Sequence, residues 1–75
     1  MEQKIKELVL NEFGIGEKEY SLDSNFITDF EGDSLDKLEL ILECEKEFNV
    51  SIPDDQFDKV NTPRELIEYI KSRLC

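Results

Sequence analysis

The 75-residue sequence predicts an all-α fold. The expected architecture is a small four-helix bundle, with three main helices, one short helix and a long ordered loop between the first two. In three segments, apolar residues recur at steps of three and four, the spacing of one helical face. No segment shows the sustained alternation of apolar and polar residues that indicates a strand. The length suits one small domain over residues 1–75, with a thin core.

The first helix is predicted from about Glu2 to Phe13. Gly14 and Gly16 should end it, because glycine adopts the left-handed conformation of many helix C-caps at low cost. Residues 15–32 lose the helical period but keep several apolar side chains. A flexible linker is poor in such residues, so the sequence predicts an ordered loop that is anchored on the core.

The second helix is predicted to begin at Asp33 or Ser34 and to run to about Asn49. Asp33 is a good N-cap, because its carboxylate can accept hydrogen bonds from unpaired amides of the first turn. Asp36 adds negative charge at the positive end of the helix dipole. The chain after this helix should be extended, because Pro53 disfavours a helical conformation in the residue before it.

The remainder of the chain predicts one short helix and one long one. The short helix is expected within Asp54 to Lys59, with Phe57 and Val60 pointing inward. Residues 62–65 combine a threonine cap, a proline at the first helical position and the glutamate of a capping box. The last helix then repeats apolar residues at helical spacing: Leu66, Ile67, Ile70 and Leu74.

The charge balance excludes several classes of function. Asp and Glu number 19, Lys and Arg 9, and histidine is absent, which gives a formal net charge of −10. We expect no nucleic-acid binding, because that affinity comes largely from basic residues that neutralise phosphates. The acidity suits partners with basic patches. A Ser–His–Asp triad within this chain is impossible.

The sequence predicts a cytoplasmic monomer with no membrane partner. No apolar run is long enough to span a bilayer, and the N-terminus lacks an apolar signal core. Cys44 and Cys75 give neither a disulfide framework nor zinc-ligand spacing. We expect Cys44 to be a buried small hydrophobe and Cys75 to be exposed, with no function inferred for it.

The second helix carries two apolar arcs on a helical wheel. The broad arc should face the core and consists of Leu40, Ile41, Cys44 and Phe48. The narrow arc, here named the leucine stripe, consists of Leu35, Leu38 and Leu42. Around these arcs lie the carboxylates of Asp36, Glu39, Glu43, Glu45 and Glu47. An exposed apolar stripe rimmed by carboxylates is typical of a docking site for a basic partner. The alternative is that Leu38 and Leu35 simply pack against the long loop.

Acidic residues are concentrated in the middle of the chain. Between Asp29 and Asp58 there are eleven of them, against only Lys37 and Lys46. A charge run of this kind can be merely a solvated face.

Ser34 lies in the first turn of the second helix, directly after Gly32 and Asp33. A helix start offers free amide donors and a positive dipole end, which would favour a phosphate attached to Ser34. Taken alone, a serine at this position is more often merely a helix cap.

With its surroundings, this segment resembles the acyl carrier protein family. The resemblance covers most of the chain: Phe26, Asp29–Phe30, the Gly32–Asp36 signature, Leu38–Leu40, Glu45, Glu47–Phe48 and Ile52–Asp55. In that family the serine carries 4′-phosphopantetheine through a phosphodiester, and the terminal thiol holds acyl groups as thioesters.

The resemblance implies that Ser34 is the attachment site, preceded by Asp33 and followed by Leu35, with Ile52 flanking the pantetheine arm. It implies a surface that transferase and synthase enzymes recognise, made of Leu35, Asp36, Leu38, Glu39, Leu42, Glu45 and Glu47. It implies no catalytic residue in the chain. A phosphopantetheinyl transferase that uses coenzyme A and a divalent cation must activate the serine hydroxyl, because no base lies near it in sequence.

The sequence departs from the family pattern at a few positions. Lys46 interrupts the acidic run, Cys44 replaces an aliphatic residue, and Glu31-Gly32 replaces a pair of small residues before the aspartate. Lys46 weakens any assignment to one pathway. A further expectation is that the bundle parts to shelter an acyl chain among Leu8, Phe26, Ile41, Ile52 and Ile67.

The expected function is the transport of acyl groups in fatty acid or related acyl-chain biosynthesis. The dense acidity and Asp36 favour this type of carrier. One alternative is an aminoacyl or peptidyl carrier of peptide synthesis or cell-wall alanylation. A second, of another class, is an acidic protein that mimics nucleic acid.

Two other interpretations are excluded: an enzyme of the lipase type and a calcium-binding EF-hand. The lipase family that shares the Gly-Asp-Ser-Leu letters needs a histidine and a larger scaffold. An EF-hand starting at Asp29 would place Ser34 where glycine is needed and Leu40 where the bidentate glutamate belongs. We therefore expect no dedicated metal site.

Overall fold

A computed structural model of the protein describes residues 2–74. The described residues form four helices and no strand: α1 Glu2–Phe13, α2 Ser34–Phe48, α3 Asp54–Phe57 and α4 Pro63–Leu74. The all-α prediction, the bounds of α1 and α2 to within about one residue, and the start of α4 are confirmed. Cys75 lies outside the described residues. Within these residues, no helix combines the length and the apolar character needed to cross a bilayer.

The core is built from all the main helices and the segments between them. Helix α1 packs against both α2 and α4. The buried apolar side chains are Ile5, Val9, Phe26, Phe30, Leu40, Ile41, Cys44, Ile52, Val60, Leu66, Ile67 and Ile70. The core-facing arc predicted for α2 is confirmed, with Phe48 partly buried against this cluster. Burial also raises the pKa of the Cys44 thiol to about 12, so this cysteine behaves as a small hydrophobe.

The helix ends follow the predicted chemistry. Gly14 ends α1 with a φ of +62°, whereas Gly16 is not left-handed. Helix α2 ends at Asn49 in the left-handed conformation, with its N–H donating to the Glu45 carbonyl. At the start of α4, the Glu65 N–H donates to Thr62 Oγ1 at 3.2 Å, and the Thr62 N–H donates to Glu65 Oε1 at 3.1 Å. The predicted capping box is therefore present.

Helix α3 is a single turn that ends at Phe57, two residues before the end of the segment in which it was expected. The chain continues in a turn, in which the Lys59 N–H donates to the Gln56 carbonyl at 3.0 Å. Val60 is buried and Phe57 is half-buried, so both point inward as predicted.

Residues 14–33, the long connection, are ordered by packing against the bundle. Phe26 and Phe30 are buried, and the Phe26 ring stacks on Phe13 at a centroid distance of 5.5 Å. The Phe26 N–H donates to the Asn61 carbonyl at 2.9 Å, which ties the connection to the start of α4. Ile27 is the exception among its apolar residues, since it is exposed. The prediction of an anchored loop is confirmed, because the other apolar residues of the connection are buried or pack against the core.

Gly32 is the point where the long connection meets the bundle most closely. A Cβ atom at this position would overlap the Phe13 ring and lie 3.0 Å from the Phe26 carbonyl oxygen. The Gly32 N–H donates to that same carbonyl at 3.2 Å. Overpacking of this kind costs about 1–3 kcal/mol. The Phe13 ring does not move aside freely, because it stacks on Phe26. The glycine before Asp33 is therefore required by packing.

Candidate functional site

Ser34 is exposed and is the first residue of α2. The N-cap is Asp33, whose Oδ1 accepts a hydrogen bond from the Asp36 N–H at 2.9 Å. Asp36 Oδ2 in turn accepts one from the Asp33 N–H at 3.2 Å, so two aspartates form a capping box. The cap predicted for Asp33 is confirmed. Capping therefore does not account for the serine, whose side chain lies at the surface beside the positive end of the helix.

The leucine stripe is exposed along α2. Leu35, Leu38 and Leu42 expose 60%, 42% and 53% of their surface. Packing against the long connection therefore does not bury them, and the alternative for Leu35 and Leu38 is wrong. Leu38 also lines a shallow cavity of about 250 Å³ together with Asp54 and Phe57 of α3, here named the α2–α3 groove.

The carboxylates of α2 divide into solvent-facing and structural ones. Glu39, Glu43 and Glu47 are exposed, and Glu47 lies 3.9 Å from Lys4 in an exposed ion pair of the kind that contributes little. Glu45 is half-buried, and its Oε2 accepts a hydrogen bond from the Ile52 N–H at 2.7 Å. Sequence analysis assigned Glu45 only to the docking surface and missed this bond.

Ile52 is 8% exposed and belongs to the core. Its backbone is fixed to α2 through Glu45, and its place beside a group attached to Ser34 stays a prediction. The residues expected to shelter an acyl chain are also core residues, of which Leu8 is half-buried and the others are buried. That expectation likewise stays a prediction.

An acidic cluster joins α1 to α2. Carboxylate oxygens of Glu12, Asp36 and Glu39 lie within 4.8 Å of one another. The pKa of Glu12 is raised to about 7 by burial, by its hydrogen bond with Glu39 and by the charges of Glu39, Asp36 and Glu43. Sequence analysis missed the cluster because Glu12 comes from another helix. An acidic surface cluster does not by itself define a metal site, and we assign none to it.

Lys37 is buried, with 2% of its surface exposed. Its Nζ donates to Asn61 Oδ1 at 2.9 Å and lies 4.3 Å from the centroid of the Phe57 ring. Burial lowers the pKa of Lys37, against the opposing charges of Asp58 and Glu65. Sequence analysis counted Lys37 only as a charge. Its spacing from Leu40 and Ile41, three and four residues on, already indicated the core-facing side.

Asn61 holds four parts of the structure together. Besides accepting from Lys37 of α2, it donates through Nδ2 to the Asp58 carbonyl at 2.8 Å. Its N–H donates to Glu65 Oε1 of α4 at 2.9 Å, and its carbonyl accepts from Phe26 of the long connection. The segment that leads into α4 is therefore fixed by hydrogen bonds to α2, to α4 and to the long connection.

A family model described as a phosphopantetheine attachment site matches residues 3–70, which is nearly the whole chain. That family binds 4′-phosphopantetheine covalently. The matched range includes the long connection, α2 with Ser34, and α3. An exposed hydroxyl at a capped helix start fits such a group.

We expect Glu12→Gln to raise the melting temperature at pH 7–8 by about 4 °C or more. Because Glu12 is only partly buried, the gain should be ~1 kcal/mol, well below what the full pKa shift would imply. The pKa of Glu12 rises from 4.5 to about 7 on folding, so the folded state binds more protons between these values. Stability should therefore fall as the pH rises through that interval, and fall less in Glu12→Gln.

The measurement is the melting temperature by circular dichroism from pH 4.5 to 8 at low salt. Glu7→Gln is the matched control, because it removes the same charge from an exposed position of α1. Equal effects of the two substitutions would show that net charge alone matters and would contradict the role given to the cluster.

Proposed function

Since the chain belongs to the family of phosphopantetheine attachment domains, we propose that Ser34 carries the group and that residues 1–75 form one carrier domain. The observation that supports this most is the exposed position of Ser34 at the capped start of α2. A phosphodiester there lies next to unpaired N–H groups and the positive end of the helix dipole.

The protein is a phosphopantetheine-carrying carrier protein, and such domains are typically not catalytic. When bound, the group supplies a thiol that holds acyl groups as thioesters. The chain's own residues supply a tether and a surface. Asp33 is engaged in the cap and histidine is absent, so we propose that a phosphopantetheinyl transferase activates the Ser34 hydroxyl.

The leucine stripe and the exposed carboxylates beside it form the proposed docking surface. The stripe offers apolar contact at the end of α2 that carries Ser34, and Glu39 beside it is exposed, as is Glu47 near the other end of α2. With a formal net charge of −10, long-range attraction should speed the encounter with basic partners and allow ready release. Asp36 and Glu45 belong to this surface only in part, because both also make structural hydrogen bonds.

For the pathway, we propose fatty acid or related acyl-chain biosynthesis by a cytoplasmic monomer. The dense acidity of α2 and the aspartate at position 36 support this proposal. An aminoacyl or peptidyl carrier would use the same attachment residue, so identification of the thioester recovered from cells separates the two. A nucleic-acid mimic would leave the exposed serine unexplained.

The attachment residue is tested by intact mass after incubation with coenzyme A, Mg²⁺ and a phosphopantetheinyl transferase. We expect the wild-type protein to gain one phosphopantetheine and Ser34→Ala to gain none. Ser51→Ala removes an exposed serine elsewhere and should be modified like the wild type. Modification of Ser34→Ala, or none in the wild type with several competent transferases, would contradict the proposal.

The docking surface is tested by charge reversal at Glu39. We expect Glu39→Lys to lower kcat/KM of the transferase several-fold at low salt, and less at high salt, because a rim charge acts mainly on association. Its melting temperature should not fall, since the substitution relieves repulsion with Glu12 and Asp36. Glu45→Lys should lower the melting temperature as well as kcat/KM, because the Ile52 N–H loses its acceptor.

Glu68→Lys makes the same charge change at an exposed site on α4 and is the control for Glu39→Lys. An equal loss of rate in both variants would mean that the transferase responds to overall charge and not to this surface.

A further inference from the structure

The Lys37 ammonium is an unusual feature for the interior of so small a bundle. Lysine is rarely buried, because the charge loses its hydration unless polar partners replace it. Here the Asn61 amide oxygen accepts one of its N–H groups, and the Phe57 ring faces the charge at 4.3 Å. The carboxylates of Asp58 and Glu65 add favourable charge. The ammonium is thus held by partners from α3 and from the segment that leads into α4.

These partners connect Lys37 to the α2–α3 groove. Phe57, which contacts the ammonium, also lines the groove with Leu38 and Asp54. Leu38 is one helical turn after Ser34 and therefore on the same side of α2. A group tethered to Ser34 consequently has the groove within reach, and the Phe57 ring that lines the groove is also the ring that contacts the Lys37 ammonium.

The same contacts resist the opening of the bundle at this place. For an acyl chain to pass between α2 and the segment after α3, the Lys37–Asn61 hydrogen bond has to break. That would leave a buried ammonium without its acceptor, which is costly. Asn61 cannot easily follow, because it is also bonded to Asp58, Glu65 and the long connection through Phe26.

The chemistry of the ammonium indicates which acyl groups are favoured. A lysine ammonium has three N–H donors, of which Asn61 accepts one. A hydroxyl or keto oxygen on the carried chain, beyond the thioester carbonyl, can accept another if the Phe57 ring turns aside. An unsubstituted alkyl chain cannot, and close to the ammonium it would only displace polar contacts.

We propose that Lys37 is a specificity-determining residue, which favours acyl groups with an oxygen on the chain beyond the thioester carbonyl in the α2–α3 groove and excludes long unsubstituted chains from the core. This inference rests on the proposed attachment of the group at Ser34. It departs from the expectation that an alkyl chain is sheltered among core residues such as Ile41 and Ile52. It remains compatible with acyl-chain biosynthesis, but it restricts the favoured intermediates to those with an oxygen on the acyl chain.

The test compares two cargoes that differ by one oxygen. A phosphopantetheinyl transferase with Mg²⁺ loads the apo protein from octanoyl-coenzyme A or from 3-hydroxyoctanoyl-coenzyme A, and intact mass verifies the loading. The melting temperature of each loaded protein is then compared with that of the protein that carries phosphopantetheine alone. We expect octanoyl to change the wild-type melting temperature by less than about 2 °C and 3-hydroxyoctanoyl to raise it by about 4 °C. An equal or larger rise with octanoyl would overturn the inference.

Lys37→Met removes the charge but keeps an unbranched side chain, and we expect it to reverse the order of the two cargoes. Lys59→Met changes an exposed lysine near α3 and should behave like the wild type. Should Lys37→Met fail to fold, the wild-type comparison alone still decides. Failure of loading would instead show in the mass spectrum, and it would overturn attachment at Ser34 together with this inference.

Discussion

The close packing of Gly32 against Phe13 is the constraint on which the rest of the structure depends. It brings the end of the long connection onto the stacked rings of Phe13 and Phe26, where no larger residue fits. The next residue, Asp33, then caps α2, and Ser34 follows at the surface. The position of the serine is thus set by packing behind it and not by contacts of its own side chain.

The acidity of α2 serves the proposed docking surface but works against the fold. Glu12 of α1 lies against Asp36 and Glu39 of α2, and burial together with these charges raises the pKa of Glu12. Residues that serve function commonly lower the stability of the folded protein. Elsewhere on the same helix, charged residues stabilise the structure: Glu45 holds the Ile52 backbone, and the ammonium of Lys37 is satisfied in the interior.

Sequence reasoning predicted those features that depend on neighbours along the chain. Local capping chemistry predicts the N-caps Asp33 and Thr62. Local spacing predicts the exposed leucine stripe and the buried Cys44. It missed contacts between residues far apart in sequence. Lys37 meets Asn61 twenty-four residues later, and Glu12 meets Asp36 and Glu39 on another helix. Helical period gives the face of each helix but not which faces meet, so these partners could not be read from it.

The central claim, that Gly32 packing sets the start of α2, is tested most directly by amide hydrogen exchange at Asp36. Its N–H donates to the Asp33 carboxylate and reports whether the cap is formed. We expect Gly32→Ala to speed this exchange about tenfold, the equivalent of ~1.4 kcal/mol, and Gly16→Ala to leave it unchanged, because a Cβ at Gly16 meets nothing within 4 Å. Wild-type protection of Asp36 in Gly32→Ala would contradict the account.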